Sequence, residues 1–142
     1  MLDKPRGLVD TGAILALLDR DDRWHRPCAE AFEGLLLPLA TSAAVLTELF
    51  HLLDGAREAA AAWNLFRSGV VRVLPIADND LAEIEELMRR YGDRPMDFAD
   101  ATLVHLARRE SLTIIFTVDH DDFETYRIEG KKRFRIVPDR LP

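Results

Sequence analysis

The stretch Pro95-Met96-Asp97-Phe98-Ala99-Asp100-Ala101 opens an apolar helical pattern with two carboxylates one turn apart. Three more acids have equally apolar neighbours. Asp10 ends the run Gly7-Leu8-Val9, Asp119 follows Thr113-Ile114-Ile115-Phe116-Thr117-Val118, and Glu48 shares a helical face with Ala44, Val45 and Leu52. Carboxylates about 5 Å apart repel by roughly 3 kcal/mol at an effective dielectric of about 20. A fold tolerates this by protonating one member or by holding a cation among them. Oxygen ligands without a His or Cys cluster suit Mg²⁺ or Mn²⁺ rather than zinc. Beside a phosphodiester, such an ion orients and deprotonates a water and stabilises charge on the phosphoryl oxygens, so the chemistry implied is phosphodiester hydrolysis.

Each acid also has a plainer structural job. Asp10, followed by Thr11-Gly12, suits a helix cap. Asp97 with Asp100 three residues on resembles a capping box with Asp in place of Glu. The Glu48 stripe fits the rim of a buried face, where the carboxylate reaches water. Asp119-His120-Asp121 suggests a calcium loop, but Glu124 stands where that loop needs Gly and Gly130 where it needs Glu, which excludes it. A phosphoacceptor receiver needs a lysine after a late strand, and the only lysines are Lys4, Lys131 and Lys132. A haloacid-dehalogenase-type phosphatase needs a second Asp two residues after the first, where this chain has Gly12.

The elements that must position these acids alternate along the chain. A strand over 7–9 leads through Asp10 into a helix over 13–18, and Pro27 begins a helix with apolar positions Cys28, Ala31, Phe32 and Leu35. Leu36 to Ala40 reads as a short strand despite Pro38, which requires an edge or the strand's first position. Thr41-Ser42 caps a helix that runs to Leu53, and an alanine-rich helix spans 57–67. Val70 to Ile76 is a strand by its β-branched content. A helix over 81–91, capped by Asp78 or Asn79, buries Leu81, Ile84, Leu87 and Met88. Leu103, Leu106 and Ala107 continue the helix of the Asp97–Asp100 stretch, 113–118 is a buried strand, and 134–137 is a short last strand. Alternation from end to end implies a mainly parallel sheet with helices on both faces. Asp10, Asp97, Asp100 and Asp119 then share one sheet edge, and Glu48 joins from a helix alongside.

At 142 residues with 48% hydrophobic content, the expectation is one domain over 1–142. A single cysteine, Cys28, builds no internal disulfide and suits a reducing, cytoplasmic setting, with the thiol half-buried. Charges at Asp3, Lys4, Arg6 and Asp10 do not fit a signal peptide, and the charge-free stretch 34–47 is too short for a membrane span. His25 has no partner at metal-ligand spacing and reads as a surface side chain. The net charge of −6 argues against a polyanionic partner unless the acids hold a cation. Basic residues cluster at Arg89, Arg90 and Arg94, at Arg108 and Arg109, and from Arg127 to Arg135, as phosphate contacts or as solvated faces.

Leu8 to Leu15 around Asp10, the embedded Glu48, Met96 to Ala101, and Thr117-Val118-Asp119 through Phe123 occur in order and resemble the motifs of PIN-domain ribonucleases, most closely the VapC-type toxins of bacterial toxin–antitoxin systems. The resemblance implies a three-layer α/β/α fold around a parallel sheet of about five strands, a homodimer, Mg²⁺- or Mn²⁺-dependent RNA cleavage, and inhibition by a small antitoxin. It places Asp10, Glu48, Asp100 and Asp119 in the acidic quartet, adds Asp97 as a further metal-site acid, and gives Thr11 and Thr117 supporting roles. The chain departs from the family at Gly12, where Ser is more usual. His120-Asp121 leaves Asp119 and Asp122 both open as ligands, with Asp119 preferred because it directly follows the strand. The alternative function is a non-catalytic PIN-like module for dimerisation or antitoxin binding.

Overall fold

A computed structural model describes residues 3–142. Its centre is a sheet of five short parallel strands: β1 (Gly7–Val9), β2 (Leu39–Thr41), β3 (Val71–Val73), β4 (Ile114–Phe116) and β5 (Arg135–Val137), in the order β3-β2-β1-β4-β5. β1 pairs with β4 through Leu8 opposite Ile115 and Val9 opposite Phe116. All of β1 and β2 is buried, as expected of strands covered on both faces. Seven helices flank the sheet among the described residues: α1 (Thr11–Leu18), α2 (His25–Gly34), α3 (Ala43–Leu52), α4 (Ala56–Arg67), α5 (Leu81–Arg90), α6 (Phe98–Glu110) and α7 (His120–Thr125). None is long and apolar enough to cross a membrane.

The core is organised around α6. Ala99 through Ala107 are buried without interruption, so this helix is covered all round rather than along one stripe. Asp97 begins it, its carboxylate accepting from the Asp100 amide at 2.8 Å, and Ser111 ends it in the left-handed conformation at φ 57°. Ser42 caps α3 and its hydroxyl meets that of Thr102 at 2.7 Å, tying α3 to α6. A short 3₁₀ turn over Asp78–Asp80 and α5 are fastened to α6 by ion pairs. His105 Nε2 lies 2.8 Å from Asp80, while Arg109 and Arg108 reach Asp80 and Glu83 at 3.2 and 2.9 Å.

Several boundaries differ from those the sequence suggests. β2 begins at Leu39 rather than Leu36, and Leu36 and Leu37 are exposed. Pro38 therefore precedes an inner strand instead of occupying an edge, although its carbonyl still accepts from the Arg6 amide. β3 keeps only three of the seven residues expected, consistent with its edge position. Leu81, expected in the α5 stripe, is 47% exposed at the helix's first position, directly after the 3₁₀ turn. Cys28 is fully buried rather than half-buried. His25 is half-buried, its Nδ1 2.7 Å from the Ala16 carbonyl oxygen, rather than free at the surface.

Leu106 of α6 has no exposed surface. Leu106→Ala is expected to cost about 2–5 kcal/mol of stability, read as a lower urea midpoint at unchanged slope.

Candidate active site

From β1 the chain builds outward to β2 and β3 on one side, and β4 and β5 complete the other. The switch point lies between β1 and β4, and in open parallel sheets ligands bind beyond the carboxyl ends of the strands there. Asp10 leaves β1 at that place and Asp119 follows β4. Their backbones are already joined, since the Asp10 amide donates to the Phe116 carbonyl at 3.0 Å.

Asp10 is buried. Its Oδ1 accepts from the Thr11 amide at 2.8 Å and its Oδ2 from the Thr117 hydroxyl at 3.0 Å. The same hydroxyl accepts from the Asp119 amide at 3.0 Å, so Thr117 fixes both acids. Asp119 caps α7, its Oδ1 accepting from the Asp122 amide at 3.2 Å. Asp100 enters from the first turn of α6 and is buried, its Oδ2 accepting from the Tyr126 hydroxyl at 2.9 Å. The Tyr126 ring is fully buried and packed edge-on against Tyr91 and Phe123.

One carboxylate oxygen from each of Asp100, Asp119 and Asp122 lies within 4.8 Å of the others. Asp10 and Glu48 stand outside that tight trio but share its field. Burial pushes Asp10 up to about 6, with the charges of Glu48 and Asp119 adding to the effect while the Thr11 and Thr117 hydrogen bonds oppose it. Asp100 rises to about 8, first through burial and then through the charges of Asp10 and Asp97. Asp119 rises to about 6 through burial and the neighbouring Asp122. Such a set of hard oxygens, with Asp10, Asp100 and Asp119 raised above the ordinary carboxylate range, is one that a divalent cation would discharge. Thr11 Oγ1, on the residue after Asp10, is buried with no hydrogen-bond partner among the described residues.

The remaining sequence candidates take other positions. Asp97 is exposed and serves as the α6 cap. Glu48 is half-buried on the wall of a cleft of about 720 Å³ that Asp97 and Phe98 also line. Much of the basic charge is already committed. Arg89 and Arg90 pair with Glu85 and Glu86 along α5, and Arg127 binds the carbonyls of Glu124, Thr125 and Tyr126. Arg94 donates to Asp122 Oδ1 at 2.8 Å and so touches the acidic trio directly.

Sequence spacing does not single out Tyr126, which meets Asp100 across 26 residues of chain. Asp122 carries one signal, its position three residues after a cap, which brings it back beside Asp119 once α7 forms.

Comparison with known proteins matches residues 7–129 to the PIN domain family. Ribonuclease VapC26 of Mycobacterium tuberculosis is 30% identical over 134 residues, spanning 92% of this chain and 99% of that relative. The crystal structure of VapC20, a sarcin–ricin loop cleaving toxin of the same species, aligns with a TM-score of 0.73 at 28% identity over 80% of this chain and 90% of that one. A toxin–antitoxin complex from Klebsiella pneumoniae shares the fold, with a TM-score of 0.64 at 19% identity over 95% and 99% of the two chains.

The raised proton affinity of Asp100 sets a pH dependence with a definite sign. Between the ordinary value of 3.8 and about 8, the folded protein holds a proton that the unfolded chain has released, so stability falls as pH rises across that window. In chelator, the melting temperature of Asp100→Asn should gain on the wild type from pH 4 to about 8 and hold that gain above it. Mn²⁺ should then raise the wild type more than the variant. A difference that stays flat with pH would mean that Asp100 ionises freely.

Proposed function

Because this chain belongs to the PIN-domain family and is a VapC-type ribonuclease toxin, we propose that it hydrolyses RNA phosphodiester bonds internally, with Mg²⁺ or Mn²⁺ held by Asp10, Asp100, Asp119 and Asp122. The observation that carries this reading is the gathering of several carboxylates at the β1–β4 switch point, Asp10 and Asp100 buried and three of the set with raised proton affinity. A bound divalent cation would supply a lowered pKa for an attacking water and a positive counter-charge for the phosphoryl oxygens.

The chain's own residues do the positioning. Thr117 holds the Asp10 and Asp119 segments in register, and Tyr126 fixes the rotamer of Asp100 by donating to one oxygen, which leaves the other to ligate. Glu48, at the cleft wall and outside the tight trio, is the carboxylate that takes the proton of the attacking water. Asp97 caps α6 and thereby holds Asp100 in place rather than ligating. The cleft of about 720 Å³ beside Glu48 is the proposed path of the RNA strand. A small antitoxin is the proposed protein partner, supported by a structural relative solved as a toxin–antitoxin complex, and a homodimer is the assembly that the family resemblance implies.

RNA cleavage assays with Mg²⁺ or Mn²⁺ test the reading. Losing a group that merely supports a metal ligand costs about 10–100-fold, so Asp10→Asn should lose at least that much. Equal activity in wild type and Asp10→Asn would overturn the proposal, and no cleavage of varied structured RNAs by the wild type would favour a binding module. Asp97→Asn should keep the cap and retain more activity than Asp100→Asn. The reverse order would exchange the roles of the two carboxylates.

A further inference from the structure

Asp119 also borders a second cavity, of about 260 Å³, which Glu48 does not line. Its walls include Arg23, Trp24, His120 and Arg140. The indole of Trp24, half-buried at the start of α2, stacks on the His120 imidazole with ring centroids 5.4 Å apart and planes 28° from parallel. His120 is a fixed backing. It is 6% exposed, and its Nε2 and Nδ1 face the carbonyls of Pro138 and Val118 at 2.7 and 3.2 Å. Trp24 is held from its own side as well, its amide donating to Asp22 Oδ1 at 2.8 Å.

Two guanidiniums reach this cavity, and they differ. Arg140 is neutralised by Asp121 and Glu124 at 2.6 and 2.8 Å. Arg23 lies over the Trp24 ring with its guanidinium carbon 5.9 Å from the centroid, is exposed, and makes no ion pair among the described residues, so it is free to turn aside to a phosphate and leave the ring to a base. A rigidly backed aromatic face beside an unpaired guanidinium is how proteins hold unstacked bases of single-stranded nucleic acid.

We propose that this cavity is a nucleotide subsite in which a nucleobase next to the scissile phosphate stacks on Trp24 while Arg23 meets its backbone phosphate. The subsite rests on the ribonuclease reading and extends it to a substrate-positioning surface. Trp24 and Arg23 act there on binding, not on the reacting atoms.

The chain has two tryptophans, so Trp63→Phe, which keeps an aromatic ring against Phe50, leaves Trp24 as the only indole reporter. That variant, combined with Asp10→Asn to prevent cleavage, is titrated with a mixed-sequence RNA hexamer and with an abasic hexamer in the presence of Mg²⁺. Saturable quenching by the first and not by the second is expected. In the otherwise wild-type chain, Trp24→Leu should raise KM about ten-fold with kcat changed less than about two-fold, and Trp24→Phe should restore most of the loss. Equal quenching by both hexamers, or an unchanged KM in Trp24→Leu, would overturn the subsite while leaving the ribonuclease reading intact. If the wild type cleaves no RNA, that reading fails by itself, and the quenching comparison still decides whether the cavity binds a base. Should Trp24→Leu not fold, the quenching comparison and Trp24→Phe carry the test.

Discussion

Like charge buried at one end of the sheet is the constraint on which the rest of this structure depends. Two carboxylates about 5 Å apart repel by roughly 3 kcal/mol at an effective dielectric of about 20, and a hydrogen bond to a charged group returns about 1.5–3 kcal/mol. Burial is the largest cause of the shift at each acid, and the donors oppose it. Asp10 has two, the Thr11 amide and the Thr117 hydroxyl, and rises to about 6. Asp100 has the single Tyr126 hydroxyl and rises to about 8. The donors orient the carboxylates without discharging them, which is the condition a cation site requires.

Holding that arrangement without the cation demands a stiff frame. Asp10 and Asp119 hang from adjacent inner strands, whose register is set by the ladder between Leu8–Val9 and Ile115–Phe116. Asp100 belongs to a helix buried all round, so it cannot relax outward without moving the core. Tyr126 adds a side chain with no exposed surface and two aromatic neighbours. Repulsion is thus stored in elements that have nowhere to go.

The sequence carries the architecture and four acids of the site because both follow from local pattern. Apolar runs ending in Asp10 and Asp119 announce strand ends, and the Asp97–Asp100 spacing announces a helix start. Asp122 is legible only as an alternative to Asp119, and Tyr126 not at all, because their roles depend on α7, a helix of only six residues with too little periodicity to stand out. Strand lengths were overread for the opposite reason. Val70 to Ile76 and Leu36 to Ala40 are apolar enough for longer strands, but only Val71–Val73 of the first and Leu39 and Ala40 of the second are paired in the ladder. Trp24 looks like any polar-break aromatic until His120, nearly a hundred positions away, is brought beneath it.

Gly12, the position at which the family resemblance leads one to expect Ser, follows from the same crowding. A Cβ at position 12 would sit 2.8 Å from Val118 Cγ2, so the space beside Asp10 is already taken by the residue before Asp119. The backbone at Gly12 needs no left-handed conformation, so space rather than φ explains the glycine. Val118 thus supplies, from β4's end, the bulk that a side chain at position 12 would otherwise bring from α1. Residues 12 and 118 are therefore one packing decision, and a side chain at 12 becomes acceptable only where 118 is smaller. The departure at Gly12 leaves the carboxylates, Thr11 and Thr117 in place and so says nothing against the site they form.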